Sequence, residues 1–231
     1  MTLLHEDGLV LAVDKPAGLA VIPERHGDAS CLRHELEAAR GEPLWVVHRL
    51  DRDTSGVVLF ARTAEAHRAM NGAFEHREVD KRYHCLTLGA PREPVATVGL
   101  HEGRKGRMRP ARPDEPGTLE AETGFRVLQS WQAPRGCVSW VEAAPKTGRR
   151  HQIRVHARAV GAPLLLDPLY ASAEPIRARD CHEDGDATVI CDRLTLHALR
   201  IALPHPSGHG VLEVTAPLAP DLAAVLALLG T

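Results

Sequence analysis

LWVVHRLDRDTSGVVLFA, at residues 44–61, combines two apolar runs with a polar segment between them. The runs at 44–47 and 57–61 are rich in β-branched and aromatic residues, as buried strands are. The segment between them, HRLDRDTSG at 48–56, holds two aspartates and two arginines. A loop between two strands is a rigid mounting for reactive side chains. The stretch therefore predicts a strand, a candidate functional loop and a second strand.

Further helix and strand patterns extend from this stretch to both ends of the chain. Thr63 and Thr147 each stand where an N-cap residue would begin a helix, and Gly41 and Gly161 stand where helices would end. Helices are predicted at 31–40, 64–76, 149–160 and from Pro220, and strands at 8–13, 44–47, 57–61, 81–89, 194–203 and 211–216 and within 119–128 and 137–144. Together they predict one α+β domain over residues 1–231, with a mixed, mostly antiparallel sheet flanked by helices and loops.

Charge is distributed unevenly although the sum is close to zero. The chain has 28 Lys and Arg against 30 Asp and Glu, for a net charge of −2. Residues 103–112 and 146–158 each hold five basic residues and no acid, whereas 174–192 holds six acids against two arginines. The two basic segments predict a positive face that could meet a polyanion, or else ordinary solvated loops. The acidic segment is predicted to be an insertion or loop.

Cysteine usage and hydropathy predict the compartment. The five cysteines are odd in number and contain no CxxC pair, which is typical of reduced thiols in a cytoplasmic protein. The N-terminus lacks the basic stretch of a signal peptide, and no window approaches 18 uninterrupted apolar residues. We therefore expect a cytoplasmic protein without a membrane partner, most simply a monomer.

Asp51 is the candidate reactive group of the 48–56 loop. The neighbouring arginines stabilise the anionic form of a carboxylate, which suits a nucleophile better than a general acid. The same four charges are also what a structural salt-bridge cluster would use. Residue chemistry alone leaves both interpretations open.

Four ordered segments resemble the motifs of the RluA-type pseudouridine synthases. HRLDRDTSG followed by VVLFART, at 48–63, is similar to the family's signature loop. VLAVDKPAGLAVIP (10–23), KRYHCLTLG (81–89) and GRRHQIRVHARAVGAPLLLDPLYAS (148–172) resemble its first motif, its K-x-Y strand and its third motif. The resemblance covers about residues 7–217 and implies the pseudouridine synthase catalytic fold.

The resemblance also implies roles for particular residues. Asp51 matches the catalytic aspartate, Tyr83 the tyrosine whose ring lies against the target uracil, and Arg154 the arginine that pairs with the catalytic carboxylate. Arg49 matches the side chain that fills the space left by the extruded uridine, and Ile153 is expected in the apolar wall around the base. Without the resemblance, Tyr83 would be a half-buried strand tyrosine and Arg154 a phosphate contact or a solvated helix charge.

The two basic segments are expected to contact the RNA backbone. Their candidate substrate-binding residues are Arg104, Lys105, Arg107, Arg109, Arg149 and Arg150. Such contacts would offset the cost of extruding the target base, roughly a few kcal/mol. The implied reaction breaks the N1–C1′ bond of uridine and joins C5 to C1′, with no redox or phosphoryl step. We therefore expect no cofactor and no metal.

The implied substrate is a stem-loop of 23S ribosomal RNA, of transfer RNA, or of both. The chain is most similar to the compact RluA member of the family, through AVIPERHGDAS at 20–30 and LYASAEP at 169–175, and we expect no S4-like domain. Which RNA is modified, and whether Asp51 attacks C1′ covalently, stay open.

Two other functions and one metal site are weaker interpretations. Asp51-x-Asp53 has the spacing of the acid pair of haloacid-dehalogenase-type phosphatases, but His48-Arg49 separate it from the preceding strand. An RNA-binding module without catalysis would be expected to have lost Asp51, Tyr83 or Arg154. Cys181, His182 and Cys191 have irregular spacing for a metal site.

Overall fold

A computed structural model of the chain describes residues 1–23 and 30–230, and the backbone alone at Lys105. Most of the AVIPERHGDAS segment (20–30), which carries part of the resemblance to the compact member, lies outside the described residues. The described elements are β1 (Thr2–Glu6), β2 (Val10–Lys15), α1 (Leu32–Arg40), β3 (Trp45–Val46), β4 (Ser55–Ala61), α2 (Ala64–Glu75), β5 (Asp80–Leu88), β6 (Val95–Ala96), β7 (Leu100–Glu102), β8 (Met108–Pro110), β9 (Thr123–Ala133), β10 (Gly136–Pro145), α3 (Gln152–Ala159), β11 (Ile176–Arg177), α4 (Ala178–Cys181), β12 (Val189–Cys191), β13 (Leu196–Pro204), β14 (Val211–Thr215) and α5 (Pro220–Leu229). A short 3-10 turn, Arg104–Gly106, joins β7 to β8.

The chain forms two compact units. Unit 1 comprises Met1–Lys81 and Ala198–Pro217, and unit 2 comprises Arg82–His197 and Leu218–Thr231. Two of the three boundaries along the chain fall inside β5 and β13, and the third falls between β14 and α5. The expectation of a single catalytic domain stays a prediction.

Unit 1 is built on antiparallel strands around the loop at 48–56. β2 pairs with β1 on one side and with β4 on the other, and β3 also pairs with β4. All seven residues of β4 are buried. Thr63 caps α2 as predicted, since its hydroxyl accepts a hydrogen bond from the Ala66 amide at 3.1 Å. Helix α2 packs its apolar face on the cluster that contains Val57 and Leu59.

Unit 2 is built on β10, which pairs with β5 on one side and with β9 on the other, again antiparallel. Helix α3 packs on this sheet through Ile153 and Ala157. Every strand pair whose register is described is antiparallel, and helices cover the sheets. The predicted fold class is confirmed.

The start of α3 differs from the prediction. Its N-cap is His151, with φ 55°, so the helix begins three residues later than predicted and Thr147 does not cap it. The Thr147 hydroxyl instead donates to the side-chain oxygen of Gln152 at 2.7 Å, and that oxygen also accepts from the Arg149 amide. Arg149 and Arg150 therefore precede the helix and do not share a helical face with Arg154.

The acidic segment at 174–192 contains regular elements and is not a loop throughout, whereas its being an insertion stays a prediction. It contains the β11–β12 pair and α4. Cys181 and Cys191 are buried in an apolar cluster with residues of α5. Its acids serve local structure in two cases: Asp180 pairs with Arg135, and Asp186 accepts from the Thr188 amide.

Candidate active site

The loop that carries Asp51 is fixed by backbone hydrogen bonds in unit 1. The Thr54 amide donates to the Asp51 carbonyl at 3.1 Å and closes a turn around the half-buried aspartate. The Gly18 amide donates to the Arg52 carbonyl, and the Arg52 guanidinium donates back to the Gly18 carbonyl, both at 2.9 Å. Arg49 is exposed on the same loop, whereas Leu50 is buried. Asp51 is thus held on an ordered turn.

Lys15, which was not among the predicted site residues, is a second support for the loop of Asp51. This lysine is fully buried, and its ammonium donates to the carbonyls of Pro16, Leu19 and Arg52 at 2.9, 2.7 and 3.0 Å. A buried ammonium needs such partners to offset its desolvation. It joins the turn after β2 to the loop of Asp51.

His48, at the start of the loop, is a neutral structural side chain. Its Nε2 accepts a hydrogen bond from the Leu59 amide at 3.0 Å, and its ring stacks on Phe74 at 5.5 Å. Burial, helped by the charge of Lys81, lowers the pKa of His48 to about 4. Burial also lowers the pKa of Lys81, in β5, to about 8.

Tyr83 and Ile153 lie in unit 2 at one apolar cluster. Ile153 is 6 % exposed, and the half-buried Tyr83 packs against the same cluster from β5. The cluster also contains Phe125 and Val141. An apolar surface with one aromatic ring at its margin is a suitable platform for a planar base.

Arg154 is buried and paired with Asp167. Its Nε and Nη2 donate to the two carboxylate oxygens of Asp167 at 2.8 and 2.6 Å, and the two side chains are 4 % and 1 % exposed. A solvated helix charge is therefore the wrong interpretation of Arg154. Asp167 was missed because it lies in the turn after the apolar run at 164–166, where periodicity gives no signal.

Tyr170 connects this ion pair to the basic hairpin β7–β8. Its hydroxyl accepts a hydrogen bond from the Met108 amide at 2.9 Å and is bonded to His151 Nδ1 at 2.7 Å. The guanidinium of Arg154 stacks over its ring at 5.1 Å. Burial raises the pKa of Tyr170, so the hydroxyl stays protonated.

Two non-glycine residues beside this network have left-handed backbone. His151 has φ 55° and Leu166 has φ 56°. Such conformations persist where the surrounding structure imposes them, and they cluster at functional sites. His151 is bonded to Tyr170, and Leu166 directly precedes Asp167, so both lie beside residues that hold Arg154.

The predicted basic residues divide into two groups. Arg109 is paired with Glu115 by two contacts, and this pairing lowers the pKa of Glu115 to about 2. Arg150 lies 3.4 Å from Glu102, and Arg149 donates to the Glu120 carbonyl. Arg104 and Arg107 are exposed, and within the described residues neither side chain has an ion pair. The side chain of Lys105 lies outside the described residues.

Several predictions stay as they were. Asp51 and Arg49 belong to unit 1, whereas Tyr83, Ile153 and Arg154 belong to unit 2, so their predicted meeting in one site stays a prediction. Among residues 1–23 and 30–230, no cluster of three or more potential metal ligands occurs. Over the same ranges, no helix combines the length and apolarity that crossing a membrane requires.

The family described as RNA pseudouridylate synthase matches residues 9–159 of this chain. Among individual relatives, ribosomal large subunit pseudouridine synthase D of Nitrosomonas europaea is 34% identical over 98% of this chain and 64% of its own length. Ribosomal large subunit pseudouridine synthase C of Vibrio parahaemolyticus is 32% identical over 97% of this chain and 68% of its own length. The chain thus spans about two thirds of these relatives.

Two solved human structures are similar to this chain. Human RNA pseudouridylate synthase domain containing 4 matches with a TM-score of 0.76 at 26% identity. The match covers 99% of this chain and 92% of the human chain. Human RNA pseudouridylate synthase domain containing 1 has a TM-score of 0.73 at 25% identity, over 97% and 86%. These likenesses leave no support for the phosphatase interpretation.

Proposed function

Because the chain belongs to the RNA pseudouridylate synthase family, we propose that it isomerises uridine to pseudouridine within structured RNA, with Asp51 as the catalytic residue. The observation that carries the proposal is the family match over residues 9–159, which includes the whole loop of Asp51. The fixed backbone of that loop supports it, because a catalytic group must be held in a productive geometry.

The chemistry assigns a separate task to each candidate residue. The reaction breaks the N1–C1′ bond, turns the base and forms the C5–C1′ bond, so an anionic oxygen of Asp51 would stabilise or trap the electron-poor C1′. Tyr83 would lie against the uracil and is the candidate that takes the C5 proton, while N1, released from C1′, gains a proton. Arg154 would orient the carboxylate of Asp51, and Arg49 would occupy the space left by the base.

We propose ribosomal RNA of the large subunit as the first substrate to test, and transfer RNA as the second. The names of the two bacterial relatives describe ribosomal large subunit synthases, which favours the first. The exposed Arg104 and Arg107 support an RNA partner, since phosphate contacts supply much of nucleic-acid affinity. The narrower resemblance to the RluA member, a monomeric state and a cytoplasmic location stay predictions.

The experiment is a map of pseudouridine in RNA from a strain that lacks this gene, before and after treatment with the purified protein. The parent protein should add pseudouridine at discrete uridines, and Asp51→Asn should add none. Asp53→Asn is the matched control, because it changes a second half-buried aspartate of the same loop. No new pseudouridine with folded parent protein, or full activity of Asp51→Asn, would refute the proposal.

A further inference from the structure

A cleft of about 530 Å³ lies in unit 2 between the β7–β8 hairpin and α3. Its lining combines three exposed arginines with apolar side chains. These residues are Arg104, Arg107, Arg158, Met108, Val155 and Leu169. We infer that this cleft binds one unpaired nucleotide of the RNA other than the target uridine, with its phosphate on the arginines and its base against the apolar side chains. The inference rests on the proposed function, which supplies the RNA.

The charge of the cleft is available for a ligand. Arg109 also lines the cleft but is neutralised by Glu115, and Arg150 nearby is engaged by Glu102 and by the carbonyl of Gly106. By contrast, the side chains of Arg104, Arg107 and Arg158 make no ion pair with any described residue. Three cations without carboxylate partners at one cleft are complementary to a phosphate.

The apolar part of the cleft is suited to a base. Met108 and Val155 are 5 % and 2 % exposed and belong to one apolar cluster, with Leu169 packed against it. The Tyr170 ring also belongs to this cluster, but Arg154 covers it and its hydroxyl is bonded to the Met108 amide and His151. A base would thus contact aliphatic and thioether groups. These groups pack on the face of the ring and do not distinguish one base from another.

The hairpin wall of the cleft is fixed before any ligand arrives. The Gly103 amide donates to the Arg107 carbonyl at 2.6 Å, which closes the hairpin tip. Tyr170 holds the Met108 amide, and Arg150 holds the Gly106 carbonyl. Such preorganisation lowers the entropic cost of binding. The volume also lies within the usual range of small-molecule sites, about 300–1,000 Å³.

Methionine-methyl NMR provides a direct test, because the chain has only three methionines. Met108 lines the cleft, whereas Met70 is buried in the core of unit 1 and serves as an internal reference. The methyl-labelled full chain is titrated with millimolar 5′-UMP, and then with uridine, which lacks the phosphate. We expect 5′-UMP to shift the Met108 signal and to leave Met70 in place, and uridine to have a much weaker effect.

Arginine variants make the test specific. Arg107→Gln and Arg158→Gln should each weaken the 5′-UMP effect on Met108 about tenfold or more, since each removes one charge-assisted contact. Arg68→Gln, an exposed arginine on α2, is the charge-matched control and should behave like the parent. Any of three results would overturn the inference. The first is a Met108 signal that does not move with 5′-UMP, and the second is a signal that moves as much with uridine. The third result is that the Arg107, Arg158 and Arg68 variants titrate equally.

Failure of this site and failure of the proposed function are distinguishable. Asp51→Asn should abolish pseudouridine formation and keep the Met108 response to 5′-UMP. Arg158→Gln should keep pseudouridine formation at saturating RNA and require a higher RNA concentration to reach it. If the parent forms pseudouridine but Met108 never responds, only the cleft is refuted.

Discussion

At the scale of single residues, burial decides which charges are structural. Arg154 and Asp167 form a two-bond ion pair that is almost fully buried, and Arg193 and Asp221 form one of the same geometry, at 2.6 and 2.7 Å, that is partly exposed. Removing one partner of a buried pair leaves a charge that water cannot reach, whereas water replaces the partner of an exposed charge. The two pairs therefore offer a comparison at fixed geometry.

We predict that Asp167→Asn lowers the free energy of unfolding by about 3–5 kcal/mol. Asp221→Asn should cost less, about 1 kcal/mol, because solvent screens that pair. Urea unfolding followed by circular dichroism measures both values. Equal losses in the two variants would show that burial does not set the contribution of the Arg154 pair.

A second prediction concerns His48 and pH. Its pKa in the folded protein is about 4, against an ordinary value of 6.5, so the unfolded chain binds more protons between these pH values. The stability that comes from the neutral ring is therefore complete above pH 6.5 and is lost as the pH falls toward 4. Between pH 7 and pH 5 the loss should be about 2 kcal/mol.

His48→Gln removes the titrating ring and keeps an oxygen that can accept from the Leu59 amide. The difference in unfolding free energy between parent and variant should narrow by about 2 kcal/mol from pH 7 to pH 5. Urea titrations at both pH values provide the measurement. Parallel pH profiles would contradict the assignment, and the other buried histidines contribute equally to both proteins.

At the scale of elements, two glycines show how the surroundings of a backbone position decide the effect of a substitution there. Gly56, at the start of β4, has φ 110°, and a Cβ there would lie 2.2 Å from the Ala198 carbonyl oxygen. Gly72 lies inside α2 with open space around its missing side chain. The same substitution should therefore have opposite effects at the two positions.

We predict that Gly56→Ala destabilises the protein by more than about 3 kcal/mol, since the backbone must move and β4 follows the Asp51 loop. Gly72→Ala should stabilise it by about 0.5–1 kcal/mol, because alanine is the better helix former. Thermal unfolding of both variants tests the pair. A neutral Gly56→Ala variant would mean that β4 shifts without cost.

How far the sequence predicted the elements depended on whether a local signal existed. The cap at Thr63 and the stop at Gly41 were read correctly, because each acts within its own helix. The start of α3 was wrong because the Thr147 hydroxyl is bonded to the Gln152 side chain, a competition that spacing does not reveal.

The same limit applied to the candidate site. The motif resemblance singled out Asp51, Tyr83 and Arg154, whose roles stay predictions. It did not identify Asp167, Tyr170 or Lys15, whose partners are set by turns and by tertiary packing. Nor did it separate Arg104 and Arg107 from Arg109, because the Arg109 partner, Glu115, lies outside the basic segment.

At the scale of the whole molecule, the cysteines test whether the two units unfold together. Cys31 lies in unit 1 and Cys85 in unit 2, and both are buried. Burial raises the pKa of Cys85 to about 12, which further suppresses its reactive thiolate. Cys137 is only half-buried. Because two of the boundaries between the units fall inside single strands, β5 and β13, we expect cooperative unfolding.

With a thiol reagent under native conditions, Cys137 should therefore react first, and Cys31 and Cys85 should react later at one common rate. Mass spectrometry of peptides from partly labelled protein measures each rate. Cys137→Ser is the control that should remove only the fast phase. Clearly different slow rates for Cys31 and Cys85 would show that the units open independently.

The hydrogen bonds of Lys15 limit which residues can replace it. A positive charge surrounded by three peptide oxygens resembles a cation-binding loop whose ion is covalently tethered to the chain. The loop of Asp51 thus contains a built-in cation and needs no ion from solvent to stay assembled. The planar head of arginine would not reproduce that compact three-way donation, so few substitutions should be tolerated at this buried position.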